Sequence, residues 1–284
     1  MSGILHLVGT PIGNLGDISE RARETLAAVD LVAAEDTRRT GRLLAHFGIE
    51  ARLVSFFEGN EDRRSEQLLD ALRQGKDVAV VSDAGMPGLS DPGYRLVRAC
   101  VEERIEVRVV PGPSAAISAL VISGLPTDRY AFEGFLPRRA SDRRARLREL
   151  APLAHTIVLF ESPRRVAALL REVIDELGDR RVAVARELTK RFEEVLRGTA
   201  STVLASLADR ELKGEVVIVI EGLRRDAGTL PDLDRLVEEA RVLVRAGMRK
   251  REAAGAVARE RGGSANPIYR RLVDDGRDGP DEPS

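Results

Sequence analysis

The sequence has no tryptophan, and aromatic residues make up only 4% of its 284 positions. Many modules that read single-stranded RNA stack bases on exposed aromatic rings, so this scarcity argues against such a module. There is one cysteine, Cys100, which excludes an internal disulfide and a cysteine-based metal cluster. We expect Cys100 to be a small buried residue of a helix over residues 96–104.

Long apolar runs are also missing, and none approaches the roughly 20 residues that a membrane-spanning helix needs. The first residues run directly into a strand-like stretch, without the basic start and apolar core of a signal peptide. The net charge is only −1, whereas dedicated nucleic-acid binders are usually basic overall. We therefore expect a cytoplasmic protein without membrane contact, in which any RNA contact comes from local arginine clusters.

The first part of the chain alternates short apolar runs with amphipathic segments of helical length. The apolar runs are 4–8, 31–34, 52–57, 78–82 and 107–110. This alternation is typical of a parallel sheet covered by helices, in which ligands bind beyond the carboxyl ends of the strands. It predicts an α/β domain over residues 1–112.

The second part, residues 113–225, has strand-like runs with fewer helices between them, which favours a mixed sheet in a second α/β domain. These runs are 130–136, 156–160, 182–187, 193–197 and 216–220. A turn-rich link then leads to a small helical region over 230–275, with predicted helices 232–246, 250–261 and 267–274. The polar tail, 276–284, is predicted to be disordered.

The first loop that follows a predicted strand is GTPIGNLGD, residues 9–17. Its glycines do not have the G-x-G-x-x-G spacing of dinucleotide-binding folds. Pro11 also removes a backbone N–H where a pyrophosphate would need a donor. The pattern disfavours a nicotinamide or flavin site, and a plain strand-to-helix turn is slightly favoured here.

The second loop, residues 81–93, contains three glycines and two prolines, which indicates a backbone shaped around a ligand. Asp83 stands just past the strand end, where a carboxylate can bind hydroxyls or an ammonium group. Asp91 and Pro92 are typical of a helix N-cap and the first helical residue. The third loop, PGPSA at 111–115, either starts a helix or binds a ligand through Ser114.

No segment matches the phosphate-binding pattern G-x-x-x-x-G-K-[ST]. The three histidines lack the spacing of metal ligands, so no metal is expected.

Eight segments in order resemble one family. They are GTPIGNLGD, AAEDTR (33–38), VSDAGMPGLSDPG, PGPSA, GLPTD (124–128), FEGFLPR (132–138), FESP (160–163) and ARELTK (185–190). Across residues 5–222 they are similar to the ribosomal RNA small-subunit methyltransferase I family of the tetrapyrrole methylase-like superfamily, with Met86 where that family often has threonine. The resemblance implies a homodimer of two-domain α/β subunits with S-adenosylmethionine between the domains. It also implies 2′-O-methylation of a cytidine in 16S rRNA.

The resemblance further implies which residues touch the cofactor. They are Pro11, Ser82, Asp83, Met86, Ser114, Ala115, Phe160, Glu161 and Gly198. A sulfonium cofactor carries no phosphate, so the missing phosphate-binding loop fits this chemistry. Methyl transfer needs neither a metal nor a covalent intermediate, and it depends mainly on a well-positioned nucleophile.

A ribose hydroxyl is weakly acidic, so a base or a cation beside the developing alkoxide would speed the reaction. General base catalysis contributes roughly 10²–10⁴-fold. The candidates are Asp36 in AAEDTR, and Glu187 and Lys190 in ARELTK. Each of them could equally form a structural ion pair.

One segment, residues 137–150, is rich in arginine and has few acidic residues, whereas a solvated helix face usually mixes both signs. We expect its arginines to contact RNA phosphates. They are Arg138, Arg139, Arg143, Arg144 and Arg146. Segments 249–251 and 270–271 add basic residues on short helices, where RNA docking and packing remain alternatives.

Two other functions remain open. The chain could be a methyltransferase of the same superfamily that acts on a tetrapyrrole, although the arginine-rich segment argues against a small substrate. It could also be a non-catalytic ribosome-assembly factor, although its intact cofactor loops argue against that.

Overall fold

The computed structural model describes residues 2–208, 210, 212–223, 233–261 and 265–274. They belong to two compact units, the first ending at Leu223 and the second beginning at the next residue. The first unit holds two five-stranded sheets, and the second holds three helices. The predicted link at 226–231 and the predicted tail at 276–284 lie outside the described residues.

The first sheet is parallel throughout, as the alternating pattern predicted, with strand order β3-β2-β4-β1-β5. Its strands are β1 (Leu5–Val8), β2 (Leu31–Ala34), β3 (Leu53–Ser55), β4 (Val78–Val81) and β5 (Val107–Val110). The helices between them are α1 (Glu20–Ala28), α2 (Thr37–His46), α3 (Glu61–Arg73) and α4 (Tyr94–Glu102). Every residue of β2 and β4 is buried, since helices cover both faces of the sheet.

Helix α4 begins two residues later than the Asp91–Pro92 pattern predicted. Gly93 occupies its N-cap position with φ 138°, a conformation that favours glycine, and the first helical residue is Tyr94. Asp91 and Pro92 therefore belong to the preceding loop, and the prediction of an Asp91 cap is wrong. Cys100 is fully buried in α4 as predicted, and burial raises the pKa of its thiol to about 11.

The second sheet is mixed, as predicted, with strand order β6-β7-β10-β8-β9. Its strands are β6 (Tyr130–Phe135), β7 (Thr156–Glu161), β8 (Arg181–Arg186), β9 (Glu194–Thr199) and β10 (Val216–Ile220). The β6–β7 pair is parallel, and the other three pairs are antiparallel. Four helices accompany these strands: α5 (Ala115–Ile122), α6 (Ala140–Leu150), α7 (Val166–Leu177) and α8 (Ala200–Ser206).

The two faces of the second sheet have different neighbours. On one face, Ile157 and Leu159 of β7 pack in a core with α6, α7 and α8. On the other face, Val158 packs with α5 and with Ile12 of the first loop. The second face thus joins the two sheets into one unit. The predicted division at residues 112 and 113 falls between β5 and α5, and as a domain boundary it stays a prediction.

The second unit consists of α9 (Leu233–Arg245), α10 (Lys250–Arg261) and α11 (Ala265–Asp274), close to the predicted helices. Each helix contributes apolar side chains to one small core, including Leu236, Val257 and Ile268. Across both units, none of the helices in the described residues combines the length and the apolar character that crossing a bilayer would require.

Candidate functional site

The first two loops are joined by backbone hydrogen bonds at the carboxyl end of the first sheet. Thr10 donates its N–H to the carbonyl oxygen of Gly85 at 2.9 Å, and Gly85 donates back to Thr10 at 3.1 Å. The Thr10 hydroxyl also donates to the carbonyl oxygen of Ser82 at 3.1 Å. Because β1 and β4 are neighbours, the loops that follow them meet at this edge.

The third loop lies against the first loop so closely that neither backbone leaves room for a side chain. A Cβ atom added to Gly9 would stand 2.7 Å from Cα of Gly112 and 2.7 Å from Sδ of Met86. Real Cβ atoms do not approach other atoms this closely, so Gly9 and Gly112 permit the approach of the two loops. All three loops that the sequence singled out are therefore in one place.

Asp83 of the second loop holds the start of α2. Its Oδ1 accepts the backbone N–H of Asp36 at 3.0 Å, and its Oδ2 lies 3.0 Å from Nη1 of Arg39. Glu35 completes the link, because its Oε2 accepts the backbone N–H of Asp83 at 3.1 Å. The carboxylate that the sequence assigned to ligand binding thus fixes the geometry of the loop and of α2.

Asp36 is the N-cap of α2. Its Oδ1 accepts the backbone N–H of Arg38 at 2.8 Å, and its carboxylate also pairs with the Arg38 guanidinium. The side-chain hydrogen bond from Arg38, followed by the backbone hydrogen bond, holds the pKa of Asp36 far below its usual range. A carboxylate with so low a pKa is a weak base, so the geometry gives Asp36 a capping role.

The turn between β8 and β9 brings the ARELTK segment onto the first loop. A Cβ atom added to Gly13 would stand 2.5 Å from Cγ of Lys190 and 2.8 Å from Oγ1 of Thr189. Glu187 and Thr189 have φ of 50° and 64°, a left-handed conformation that is costly for residues with side chains. Strain of this kind persists where the surrounding structure imposes it, and it clusters at functional sites.

Hydrogen bonds hold this turn in place. Oε1 of Glu187 accepts from Nζ of Lys190 at 2.9 Å and from the backbone N–H of Glu215 at 3.0 Å. The Glu193 carboxylate accepts the backbone N–H of Thr189 at 2.6 Å. The Thr189 hydroxyl is buried and has no hydrogen-bond partner among the described residues. Thr189 lies within the ARELTK segment but was assigned no role, because a positive φ at a threonine leaves no pattern in the sequence.

The protonation states of this pair follow from the same contacts. Burial would lower the pKa of Lys190, but hydrogen bonds to Glu187 and Glu215 outweigh it, and the pKa is raised. Burial would raise the pKa of Glu187, but the hydrogen bonds from Lys190 and the Glu215 backbone lower it. Lys190 is therefore a cation and Glu187 an anion at neutral pH.

A cavity of about 310 Å³ lies between the first loop, α2 and the start of the second loop. Its lining residues are Thr10, Pro11, Gly13, Leu15, Arg39, Thr40, Arg42, Leu43, Ser82 and Asp83. Three residues that the sequence assigned to the cofactor, Pro11, Ser82 and Asp83, are among them. The assigned residues of the third loop and of the second sheet are not.

Phe160 and Glu161 at the end of β7 face opposite ways. Phe160 packs in the apolar cluster that holds Ile12 of the first loop and Ala115 of the third. The Glu161 side chain is fully buried on the other face, where Oε1 accepts from Nε of Arg165 at 2.7 Å. Only Phe160 therefore presents its side chain to the loops.

Two further residues assigned to the cofactor have other surroundings. Gly198 pairs with Val182 near the start of β8, whereas the turn that meets the first loop follows the end of β8. Ser114 is the N-cap of α5, and its hydroxyl accepts from the backbone N–H of Ile117. The contacts of both residues with the cofactor stay predictions.

Asp91 lies beside Ser82, Glu35 and Asp83. Burial, and to a lesser degree the charges of Glu35 and Asp83, raise the pKa of Asp91 to about 6, although a hydrogen bond with Ser82 opposes this. The sequence placed Asp91 at a helix cap and so missed its position next to a predicted cofactor residue. Asp91 stands between Ser90 and Pro92, and an aspartate before a proline is typical of a helix cap, so this local pattern did not indicate a position in the site.

The arginines of α6 form ion pairs with acidic side chains. Arg143 is 6% exposed and forms two hydrogen bonds with the Glu172 carboxylate, at 2.6 and 2.7 Å. Arg144 pairs with Asp175 and Arg146 with Glu133. These acids come from α7 and β6, which the local sequence of α6 does not reveal. Arg143 is therefore a buried structural residue, and we remove it from the predicted RNA contacts.

Arg138 and Arg139 precede α6 and differ from the arginines inside it. Both are exposed, and neither side chain forms an ion pair within the described part of the chain. They are the members of the predicted RNA surface whose charge is not already compensated.

Comparison with known proteins identifies close relatives. The chain is 46% identical over 259 residues to the ribosomal RNA small subunit methyltransferase I of Synechocystis sp., covering 91% of this chain and 93% of that one. It is 44% identical over 275 residues to the protein of that name from Escherichia coli O157:H7, covering 96% and 95%. With the Thermotoga maritima protein of that name it shares 49% identity over 220 residues, 78% of this chain and 99% of the relative.

Solved structures share the fold at much lower identity. Cobalt precorrin-4 methyltransferase matches 77% of this chain and 94% of its own, with a TM-score of 0.57 and 19% identity. A uroporphyrin-III C-methyltransferase from Thermus thermophilus, complexed with S-adenosylhomocysteine, matches 77% and 97%, with a TM-score of 0.53 and 18% identity. The profile of the tetrapyrrole (corrin/porphyrin) methylases matches residues 4–204. The chain therefore belongs to the ribosomal RNA small subunit methyltransferase I family, within the tetrapyrrole methylases.

Proposed function

We propose that this protein uses S-adenosylmethionine to methylate the 2′-hydroxyl of a cytidine in the 16S rRNA of the small ribosomal subunit. One observation carries the proposal: identity of 42–50% to relatives that bear the name ribosomal RNA small subunit methyltransferase I. The match runs over nearly the whole of both chains for several of them. Small subunits are assembled in the cytoplasm, which is where we expect the protein to act.

The loops fit a cofactor without phosphate groups. Backbone approach at Gly9 and Gly112 shapes the site, and no described strand-to-helix turn there offers the glycine-lysine pattern that binds phosphates. Pro11, Ser82, Asp83 and Met86 of the first two loops would hold the cofactor, with Ser114, Ala115 and Phe160 beside them. The bound cofactor supplies an electrophilic methyl group.

The residues of the chain act on the ribose rather than on the methyl group. As the hydroxyl proton passes to water, the 2′-oxygen carries a developing negative charge. It takes the methyl group while the C–S bond of the sulfonium would break, which would leave S-adenosylhomocysteine. The Lys190 side chain lies against Gly13 through its Cγ atom, and Gly13 lines the cavity. From this position the Lys190 ammonium, which pairs with Glu187 and Glu215, would stabilise that charge. Glu187 positions Lys190 and keeps it protonated. In this arrangement Asp36 contributes by starting α2.

The arginines that the sequence assigned to RNA lie outside the cavity. Arg138 and Arg139 offer exposed guanidinium groups before α6, with Arg144 and Arg146 half-exposed behind them. In the helical unit, Arg249, Arg251 and Arg259 line a second cavity of about 420 Å³. Arginine side chains on a folded surface suit the phosphates and the shape of structured RNA. The substrate is then the assembled small subunit, and naked rRNA is a poor one.

The chain also has features that favour a homodimer. β5 lies at an edge of the first sheet, and its Val109 is 54% exposed. Ile117 and Val121 of the next helix, α5, are exposed as well. Exposed apolar side chains on an edge strand and the helix after it suit a protein interface. Sedimentation at micromolar concentration should give twice 31.0 kDa, and a monomer alone would contradict the dimer.

The proposed activity can be tested with methyl-labelled S-adenosylmethionine. The protein is incubated separately with small subunits that lack the modification, with naked rRNA and with tetrapyrroles. We expect label in the rRNA of the subunits, with little in naked rRNA. Label only in a tetrapyrrole would assign the chain to the other branch of its superfamily. Cofactor binding without any transfer would support an assembly factor.

A further inference from the structure

We propose that Arg42 binds an RNA phosphate next to the target ribose, inside the cavity between the first loop and α2. This inference rests on the proposed function and adds a phosphate-binding residue at its site. The arginines that the sequence assigned to RNA lie before and within α6, so Arg42 defines a separate contact.

The charge of Arg42 is not compensated, unlike that of the other two arginines on α2. Arg38 pairs with Asp36, and Arg39 pairs with Asp83. Nε of Arg42 makes one long hydrogen bond, 3.4 Å, to the carbonyl oxygen of Arg38. Within the described residues no carboxylate lies at ion-pair distance from Arg42, and the residue is exposed. Its guanidinium is available for an anion.

Arg42 would hold that anion in the same cavity as the proposed cofactor residues. Arg39 and Arg42 are three residues apart on α2 and so share one face of the helix, and both line the cavity. Pro11 and Ser82, proposed cofactor residues, line the same cavity. Leu15 and Leu43 give it an apolar wall. A ribose that reaches the cofactor through this cavity brings its phosphates near Arg42.

The chemistry of the two ligands points to the RNA. The reacting 2′-oxygen is on the ribose carbon next to the one that bears the 3′-phosphate, so a phosphate always accompanies the acceptor. A guanidinium binds a phosphate through two parallel hydrogen bonds. The cofactor has no phosphate, and its one possible anion is the methionine carboxylate. The experiment therefore has to separate these two ligands.

The test compares the full-length wild type with Arg42→Gln, using small subunits and labelled cofactor. We expect KM for the subunit to rise roughly tenfold or more, as the loss of a charge-assisted hydrogen bond predicts. The turnover rate and the cofactor Kd from calorimetry should not change. The slope of log affinity against log salt should fall by about 0.7–0.9, the value of one phosphate contact.

Two variants keep the test decisive. Arg98→Gln is the matched control, because Arg98 is an exposed arginine on α4 that pairs with Glu102, and it should behave as the wild type. Arg42→Lys keeps the charge but loses the paired hydrogen bonds, so its KM should lie between those of the wild type and Arg42→Gln. If Arg42→Gln does not fold, the test uses Arg42→Lys alone, and a severalfold rise in its KM for the subunit supports the inference.

Two results would overturn the inference. A weaker cofactor Kd in both Arg42 variants, with KM for the subunit unchanged, would assign Arg42 to the cofactor carboxylate. If Arg42→Gln changes neither the KM for the subunit nor the salt slope, Arg42 does not bind an RNA phosphate. Failure of the wild type to methylate subunits would instead contradict the proposed function, before any variant is compared.

Discussion

Nζ of Lys190 lies 2.9 Å from Oε1 of Glu187, in a turn that rests on Gly13 of the first loop. This contact keeps Lys190 protonated and fixes the position of its ammonium group. We predict that Lys190→Gln lowers the turnover rate by roughly 10²–10³-fold, the usual effect of removing one group that stabilises a developing oxyanion. Single-turnover methyl transfer measures this, with cofactor Kd expected to stay within about twofold.

The control for this prediction is Lys213→Gln, an exposed lysine outside the turn. It should leave the rate unchanged. Because the pKa of Lys190 is raised, its charge is constant across neutral pH, so Lys190 should add no step to the rate profile between roughly pH 6 and 9. A Lys190→Gln variant with wild-type turnover would remove Lys190 from catalysis.

The second prediction concerns the approach of the first and third loops. Gly9→Ala would place a methyl group against the backbone of Gly112, so one loop must move. We expect cofactor affinity to fall by roughly tenfold or more, because restoring the loop geometry around the extra methyl group would cost about 1–3 kcal/mol. Calorimetry measures it. The control is Gly41→Ala. Gly41 lies inside α2, and its added Cβ atom would stand at an ordinary contact distance, 3.5 Å, from Cδ1 of Leu53, so this variant should bind the cofactor as well as the wild type.

A third prediction separates structural arginines from RNA-binding ones. Arg143→Met leaves Glu172 buried without its partner and should cost about 3–5 kcal/mol of unfolding free energy. The double variant Arg138→Gln, Arg139→Gln should keep wild-type stability and weaken binding to small subunits. Denaturant unfolding and subunit binding are measured on both proteins. If the wild type, Arg143→Met and the double variant have the same free energy of unfolding, the Arg143–Glu172 pair does not stabilise the fold.

The fourth prediction is a pH dependence from Asp91. Its pKa of about 6 in the folded protein lies above the ordinary value of 3.8, so the folded state binds this proton more tightly than the unfolded chain. Ionisation of Asp91 therefore lowers the free energy of unfolding as pH rises from about 4 to about 6, and this loss persists above pH 6. Asp91→Asn removes it and should stabilise the protein at pH 8 by on the order of 1–2 kcal/mol.

Thermal unfolding at two pH values measures this effect. At pH 8 the Tm of Asp91→Asn should exceed that of the wild type by roughly 2–6 °C, and near pH 4 the two should agree. Glu24→Gln, which changes an exposed carboxylate on α1, is the control and should shift neither value. A lower Tm for Asp91→Asn at pH 8 would mean that the ionised carboxylate stabilises the loop.

The order of strands and helices follows from the sequence because its apolar runs are buried on both faces, as in β2 and β4. The second loop was predicted to bind a ligand because its glycines and prolines mark where the backbone leaves regular geometry. The residues alone slightly favoured a plain turn for the first loop and left the third loop open between helix start and ligand binding. Their meeting at Gly9 and Gly112 depends on the adjacency of β4, β1 and β5, which no local pattern contains.

The arginines show the limit of local patterns most clearly. Arg143 sits in a segment with few acids, yet its partner Glu172 is 29 residues away on α7. Arg42 sits among arginines, and only the structure shows that Arg38 and Arg39 already have carboxylate partners. Charge compensation is a tertiary property, so sequence can locate basic residues without showing which of them are available.

Mass spectrometry of 16S rRNA from a strain that lacks this protein shows whether the protein methylates a cytidine ribose in the cell. We predict that one 2′-O-methylcytidine disappears and returns when the gene is restored, while the Lys190→Gln variant restores little of it. The same 2′-O-methylcytidine content with and without the protein would mean that this protein is not the methyltransferase for that nucleotide.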